Sequence, residues 1–263
     1  MRHRLRTVLV WGGWAPIVLV ATLLGAWEVY VESGQVSAFV LPAPHAMAAA
    51  LWNNGSLIWS NFLVTAQEVG LGLCAALIAG FATALAIHFS PLARRAIYPL
   101  AVGSQAVPVA VLAAPLVFWW GFGMSPKLVV IALICFFPIV VSMVDGLGAV
   151  DPDQLKLLHT LDASRWQAFR MAELPAALPA ALSGARIALA VGMIAAYIAE
   201  ISTAGTSAGL GHEINTDLTA LQTPRAWAAT AVLFVAAVAC FYTLALAERR
   251  LAPWAHRPRG ENR

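Results

Sequence analysis

Six ionisable side chains fall within or near long apolar stretches of this sequence, where a charge is costly. They are Glu28, Glu68, His88, Asp145, Arg186 and Glu200. A charged group held in the hydrocarbon of a membrane usually has a partner or a function. Four of them lie close to the end of an apolar stretch, so we expect their side chains to extend to the interface: Glu28, His88, Asp145 and Arg186.

Glu200 differs from the other five because it ends a stretch of small residues and precedes a glycine-rich segment. Two roles remain open for it. Either Glu200 lines the outer part of a solute pathway, or it pairs with a polar group there. Pro108 and Pro115 interrupt another apolar stretch, and a broken helix is typical of a pathway. We therefore take Glu200, Pro108 and Pro115 as candidate pathway residues.

Motifs for hydrolysis or phosphate binding are missing from the sequence. Its two lysines, Lys127 and Lys156, do not follow a glycine, so there is no Walker A loop. A zinc-protease pattern begins at His212 but has Thr216 where its second histidine belongs. Ser207 lies in a Gly-x-Ser-x-Gly run that no strand precedes. We predict no catalytic, cofactor or metal site, and any ATP hydrolysis would reside on a partner subunit.

Composition indicates an integral membrane protein. Of 263 residues, 60% are hydrophobic and 11% are charged, against about 25% charged in soluble domains. Apolar runs of this length favour helices over barrel strands. The three cysteines each fall within an apolar run and have neither metal nor disulfide spacing: Cys74, Cys135 and Cys240. The net charge of +3 does not indicate nucleic-acid binding, because in a membrane protein it is the position of Lys and Arg that matters.

The pattern predicts an all-α, polytopic protein with six transmembrane helices in a single domain over residues 1–263. The predicted spans are 10–31, 61–89, 96–120, 127–147, 175–201 and 225–247. Prolines at 99, 108 and 115 predict that the third span is kinked or interrupted. The permease core is then about 61–247.

Positive charge is distributed asymmetrically along this topology. With the N-terminus inside, 14 of the 16 Lys and Arg residues lie at the cytoplasmic end, and only Lys127 and Arg225 lie at the other. The positive-inside rule therefore places both termini in the cytoplasm. It also places the polar interval 151–174 there.

That polar interval contains two helix-start signals. Asp151 is followed by Pro152 at the first helical position. Ser164 and Gln167 form a capping box. Asp162 and Ala163 must turn the chain between them. We predict two short rigid helices joined by a tight turn, in a chain without its own nucleotide site.

The segment 151–179 resembles the cytoplasmic EAA loop of ABC importer permeases. With Leu174 and Pro175 placed on that loop's Leu-Pro, Asp162 falls on its glycine and Ala172 on its isoleucine. Lys156 and the next two residues then fall on Glu-Ala-Ala. The spacing and the Leu-Pro are kept, whereas Lys156 reverses the charge of the family's glutamate. Asp is among the few residues tolerated at left-handed backbone angles, so Asp162 can replace the glycine.

Other landmarks, between about Leu41 and Trp254, resemble the branch that transports sulfonates, nitrate, taurine and thiamine pyrimidines. They are Leu41-Pro42-Ala43-Pro44, Ala106-Val107-Pro108, Ala114-Pro115-Leu116, Trp120-Gly121-Phe122-Gly123, Phe137-Pro138-Ile139, Asp145-Gly146-Leu147, Ala163-Ser164, Leu178-Pro179, Gly184-x-Arg186, Ala199-Glu200, Gly209-Leu210-Gly211, Glu248-Arg249 and Pro253-Trp254.

The resemblance implies a type I ABC importer permease fold in a bacterial inner membrane. It implies three kinds of protein partner: cytoplasmic ATPase subunits, an extracytoplasmic solute-binding protein and a second permease copy, with a homodimer expected. The segment 151–174 would couple the ATPase to the spans through Lys156, Asp162, Ala163, Ser164, Trp166, Phe169, Leu174 and Pro175. The implied substrates are a thiamine pyrimidine precursor, a riboflavin-like compound, or an alkanesulfonate, nitrate or taurine.

Two alternatives of other classes were weighed. A self-contained secondary transporter needs coupling-ion sites near broken helices, and the third span has the prolines without acidic neighbours. An intramembrane enzyme needs paired groups such as Ser with His, and the sequence shows no such constellation.

Overall fold

The regular secondary structure is all helical, with no strand, in the residues that the computed structural model describes, which are 14–104, 108–202 and 208–256. Its α-helices are α1 (Ala15–Glu32), α2 (Pro44–Asn53), α3 (Gly55–Phe89), α4 (Pro91–Ser104), α5 (Ala113–Trp120), α6 (Met124–Leu147), α7 (Pro152–Thr160), α8 (Arg165–Ala168), α9 (Leu174–Ser202), α10 (Leu210–Thr219) and α11 (Thr223–Leu251). Short 3-10 helices cover Val109–Leu112 and Pro253–His256, and a π-helix covers Phe169–Glu173.

Five of the described helices are long and apolar enough to cross a membrane. They are α1, α3, α6, the continuous helix Arg165–Ser202 that contains α9, and α11. They correspond to all the predicted spans except the third. The predicted start of the first span at Val10 lies outside the described residues, as do Ser207 and the basic residues at both ends of the chain: Arg2, Arg4, Arg6, Arg257, Arg259 and Arg263.

The third predicted span is divided, as its prolines indicated. α4 ends at Ser104, Pro108 precedes the 3-10 turn Val109–Leu112, and α5 begins at Ala113. Proline lacks the backbone N–H that a continuous helix needs. Of the landmarks above, Ala106 and Val107 lie outside the described residues.

Contacts group the described residues into two compact units, each built from separate stretches of chain. The first contains the described residues up to Ser60 together with Glu213–Val232, and the second contains Asn61–His212 and the residues from Leu233 onward. In the first unit, Trp27 and Trp227 meet edge to face with ring centroids 5.8 Å apart. The predicted single domain over 1–263 stays a prediction.

The core of the second unit depends on small residues of α9. Ala188 and Ala196 are fully buried. A Cβ atom added at Gly184 would lie 2.5 Å from Ser142 Cβ, and one at Gly192 would lie 2.9 Å from Cys135 Sγ. The small residues therefore let α9 approach α6 closely. These small residues thus serve packing within the chain.

Helix α3 packs on α6 by the same device. A Cβ atom at Gly72 would lie 2.6 Å from Ile131 Cγ2, and one at Gly80 would lie 2.7 Å from Ile139 Cγ2. Both isoleucines belong to the same buried cluster as Ala188 and Ala196. The helices α3, α6 and α9 thus share one core, which positions the segment 151–174 and the polar groups described next.

Candidate functional site

The segment between α6 and α9 begins with a capped helix. Asp151 Oδ1 accepts a hydrogen bond from the N–H of Asp153 at 2.9 Å, and Pro152 occupies the first helical position. The helix α7 closes with a Schellman motif, because the N–H of Ala163 donates to Leu158 O at 3.0 Å and that of Asp162 to His159 O at 3.1 Å. Asp162 has φ 53°. The predicted turn and its left-handed aspartate are confirmed.

The second helix of the segment begins with the predicted capping box. Ser164 Oγ accepts from the N–H of Gln167 at 3.3 Å, and Gln167 Oε1 accepts from the N–H of Ser164 at 2.7 Å. These reciprocal bonds satisfy two backbone donors that would otherwise be unpaired. The segment is therefore a rigid pair of helices rather than a solvated loop.

A π-helix over Phe169–Glu173 joins α8 to α9. A π-turn contains one residue more than an α-turn and often lies at a functional site. No local pattern in the sequence indicates this π-helix. It makes the segment continuous with the long helix that ends at Ser202.

Four residues attach this π-helix to the end of α3, and we call them the anchor: His88, Phe89, Phe169 and Glu173. His88 Nε2 lies 2.8 Å from Glu173 Oε2, and both side chains are mostly buried. The rings of Phe89 and Phe169 have centroids 5.0 Å apart. Phe169 is 3% exposed and packs among residues of α3, α6 and α9. The anchor therefore attaches the segment to α3 and, through Phe169, also to α6 and α9.

Trp166 connects the anchor to the surface. Its ring stacks on Phe169 at a centroid distance of 5.3 Å, and its side chain remains 63% exposed. Arg165 lies over the ring of Phe89 at 5.4 Å. Phe169 therefore faces the bundle, whereas Trp166 stays accessible.

The exposed side of the segment is apolar at several points. Its exposed large hydrophobic residues are Leu157, Leu161, Trp166 and Met171. On a short polar segment, such side chains usually mark an interaction surface.

The remaining predicted coupling residues occupy varied positions. Lys156 pairs with Asp153 at 2.8 Å, and both side chains are largely exposed, so this pair contributes little. Leu174 packs against the cluster that contains Phe169, whereas Pro175 is exposed and Ala163 half-buried. The structure brings Trp166, Phe169 and Leu174 together and leaves Lys156 apart from them.

A second polar site lies buried among α3, α6 and α9. Lys127 Nζ donates to Glu68 Oε1 at 2.8 Å and to the carbonyl of Ala208 at 3.2 Å. Thr65 Oγ1 donates to Glu200 Oε1 at 2.6 Å. The side chains of Lys127, Glu68 and Glu200 are all at most 2% exposed. Buried charges persist only when they are paired in this way.

The same network fixes the segment that leads into α10. Glu200 Oε2 accepts from the N–H of Gly211, Thr65 Oγ1 from that of Leu210 at 2.8 Å, and Asn61 Oδ1 from that of Gly209 at 3.0 Å. Gly209 has φ +119°, and a Cβ atom there would overlap the Glu200 carboxyl group. Glycine is therefore required at this position.

Glu200 thus pairs with polar groups, which was one of the two roles left open for it. Pro108 and Pro115 are exposed, and the pathway role of all three residues stays a prediction. Lys127, which charge counting places at the outer end of a span, is buried and paired with Glu68. A lysine at the start of a strongly apolar run, with an acidic residue inside a neighbouring run, was the signal that could have revealed the pair.

Three of the groups expected to reach the interface have partners within the chain. His88 pairs with Glu173, and Arg186 Nη1 lies 3.3 Å from Glu248 Oε2. His45 is bonded to Glu28. Asp145 is exposed. For His88 and Arg186, an opposite charge on a neighbouring helix offsets the cost of burial. The pair of Glu28 and His45 is exposed.

Comparisons with known proteins agree with this architecture. Residues 72–254 match the family model described as the binding-protein-dependent transport system inner membrane component. A probable ABC transporter permease protein of Haemophilus influenzae is 34% identical over 75% of this chain and 80% of its own length. The formylaminopyrimidine transport permease protein ThiX of Halalkalibacterium halodurans is 30% identical over 91% of this chain and 95% of its own.

The fold also matches a chain in the crystal structure of an amino acid ABC transporter with histidines. The TM-score is 0.64 at 18% identity, covering 77% of this chain and 97% of the other. Fold and site together define a multi-pass transport protein with an all-α ABC importer permease fold.

The chain belongs to the family of binding-protein-dependent transport system inner membrane components. It is an inner-membrane ABC transporter permease, a transport component rather than a catalytic subunit.

Proposed function

We propose that this chain forms the solute pathway of an ATP-driven importer and couples to a separate ATPase through residues 151–174. The observation that supports this most directly is the rigid helix pair with an exposed apolar side and a buried anchor. A segment that transmits force from a moving partner must resist bending, and its caps, its Schellman turn and the anchor all stiffen it. The missing Walker A loop is the reason that ATP binding belongs to another subunit.

The coupling surface consists of Trp166 and the neighbouring exposed apolar residues Leu157, Leu161 and Met171. The helix-turn geometry at Asp162 and Ser164 holds these side chains in place. Lys156, which reverses the charge of the family's glutamate, is exposed, so coupling here depends on shape and apolar contact rather than on that ion pair. Leu174 and Pro175 continue the segment into α9.

The importer would also contain a second permease copy, as a homodimer, and an extracytoplasmic solute-binding protein. Both termini and the segment 151–174 would lie in the cytoplasm. Glu200, Pro108 and Pro115 remain the candidates for the pathway, with Glu200 acting through the buried network that fixes residues 209–211.

For the substrate we propose an aromatic heterocycle of the thiamine-pyrimidine or flavin type, ahead of an alkanesulfonate, nitrate or taurine. The support is the 30% identity to a formylaminopyrimidine transport permease. Calorimetric titration of the partner binding protein with pyrimidines, flavins and sulfonates tests this order. Binding of sulfonates alone would reverse it.

The coupling role is tested by Trp166→Ala and Asp162→Pro in the assembled complex. Truncating an aromatic side chain at the centre of an interface costs about 2 kcal/mol or more of binding free energy. Trp166→Ala should therefore weaken ATPase binding roughly 30-fold. Proline cannot adopt the positive φ of Asp162, so Asp162→Pro should disrupt the turn. The measurements are the ATPase retained after purification through a tag on this chain and the rate of phosphate release.

Trp52→Ala is the matched control, because Trp52 is 89% exposed on α2 and lies outside the segment. It should leave both measurements unchanged. Wild-type ATPase retention and phosphate release in both test variants would show that the segment is not the coupling element.

A further inference from the structure

We infer that the anchor is a second mechanical connection, through which the segment 151–174 moves α3 together with α9. This inference rests on the proposed coupling function and names the residues that transmit the motion. It concerns four side chains that do not belong to the exposed surface: His88, Phe89, Phe169 and Glu173.

The covalent connection from the segment reaches only α9. The chain runs from α8 through the π-helix Phe169–Glu173 directly into Leu174–Ser202. π-turns are places where a helix deforms or bends readily. A push that arrives at Trp166 would therefore be absorbed partly in the π-helix unless other contacts stiffen it.

The anchor supplies that stiffness from a different helix. His88 and Phe89 are the last two residues of α3, and they contact the first and last residues of the π-helix. Glu173 lies 2.8 Å from His88 Nε2, and Phe169 lies 5.0 Å from Phe89 between ring centroids. The π-helix is thus held at both of its ends by one end of α3.

The contact between His88 and Glu173 and the packing of Phe169 both resist movement. The His88 and Glu173 side chains are 20% and 15% exposed, so the contact is shielded from water and is stronger than a surface pair. Phe169 is almost completely buried and packs with Ala84 of α3, Met143 of α6 and Ala177 of α9. A movement of the π-helix must therefore displace α3 as well as α9.

The test measures whether α3 follows α9 when the complex binds nucleotide. Nitroxide labels are attached at Ala82→Cys on α3 and Ile187→Cys on α9, which are both exposed positions. Cys74 and Cys240 are replaced by alanine, and Cys135 is left because it is fully buried. The interlabel distance is recorded by electron paramagnetic resonance in the complex with its ATPase, without nucleotide and after trapping with MgATP and vanadate.

With the anchor intact, the distance should be the same in both states because the two helices move together. In His88→Ala and in Glu173→Gln, the distance should shift on trapping, since α9 still follows the segment and α3 does not. Both variants keep the exposed apolar side chains of the segment, so the complex that they form with the ATPase should still bind and hydrolyse ATP and can be trapped. The exchanged pair His88→Glu with Glu173→His should restore a constant distance.

A distance that responds to nucleotide in the same way in wild type and variants would overturn the inference and leave the proposed function standing. So would a variant effect that the exchanged pair does not restore, because that pattern indicates general destabilisation. If the wild-type chain retains no ATPase at all, the proposed function fails first and the inference falls with it.

Discussion

At the scale of single residues, the buried network of Lys127, Glu68 and Glu200 is the feature that local sequence predicted least well. The sequence showed that Glu200 was unusual and left pairing as one of its two roles. It did not reveal the partner, because Thr65 is 135 positions away and only the packing of α9 beside α3 brings them together. The burial of Lys127 was not predicted for the same reason, since a lysine near a span end is ordinarily solvated.

Removing the ammonium group of this network should be strongly destabilising. Lys127→Met leaves the Glu68 carboxylate buried without its partner, which costs about 3–5 kcal/mol. The midpoint of thermal unfolding in detergent should therefore fall markedly. Lys156→Met is the matched control, because Lys156 is exposed and its pair is worth about 0.5 kcal/mol or less.

The double variant Lys127→Met with Glu68→Gln separates lost pairing from lost packing. It replaces the ion pair by neutral groups, so it should recover most of the stability lost in the single variant. If the double variant is no more stable than Lys127→Met alone, the side-chain volume of Lys127 rather than its charge matters.

At the scale of secondary-structure elements, the sequence predicted the starts of α7 and α8 correctly because caps are local. The carboxylate of Asp151 and the hydroxyl of Ser164 bond to backbone groups within three residues of themselves. The π-helix after Ala168 was not predicted, because its extra residue is stabilised by tertiary contacts of Phe169 and Glu173 with α3. The division of the third span was predicted, since proline acts locally.

The start of α2 gives a prediction about pH. The hydrogen bond to the Glu28 carboxylate, followed by its charge, raises the pKa of His45 above its ordinary value of 6.5. A group whose pKa is raised on folding contributes stability that is fully present below the unfolded pKa and lost as pH rises through the folded one. Wild type should therefore exceed His45→Ala in thermal midpoint at pH 5.5, and the difference should shrink toward pH 9.

Glu28→Gln is the control for this pH effect, because it removes the carboxylate that raises the pKa. In that background the difference between His45 and His45→Ala should no longer depend on pH in this window. A difference that is constant with pH in the wild-type background would show that the pair does not act through protonation.

At the scale of the whole molecule, the class of protein could be read from the sequence, whereas the division into two contact units could not. Hydropathy and the ordered landmarks from Leu41 to Trp254 predicted a membrane permease, and the family match over 72–254 confirmed it. The two units each combine distant stretches of chain. Such a grouping depends on long-range packing, which periodicity along the chain does not encode.

The distribution of Lys and Arg predicts the orientation in the membrane. Trp52 and Trp166 are both exposed, at 89% and 63%. This orientation predicts that Trp52 lies outside the membrane and Trp166 on its cytoplasmic side. In a Cys74→Ala, Cys240→Ala background, Trp52→Cys should react with a membrane-impermeant maleimide on intact spheroplasts. Trp166→Cys should react only after permeabilisation, and the reverse pattern would contradict the positive-inside assignment.

The π-helix at Phe169–Glu173 has a consequence for how this region can change in evolution. An α-helix turns by about 100° per residue. The residue that the π-turn adds therefore rotates α8 relative to α9 about the helix axis. The face that α9 buries against α6 is fixed by small residues such as Gly184 and Gly192. The direction in which Trp166 points is therefore set by the length of this turn rather than by the identity of any residue in it. Insertion or deletion of a single residue here would re-aim the exposed side of the segment and displace the anchor, while the contacts of Gly184 and Gly192 with α6 would keep their register.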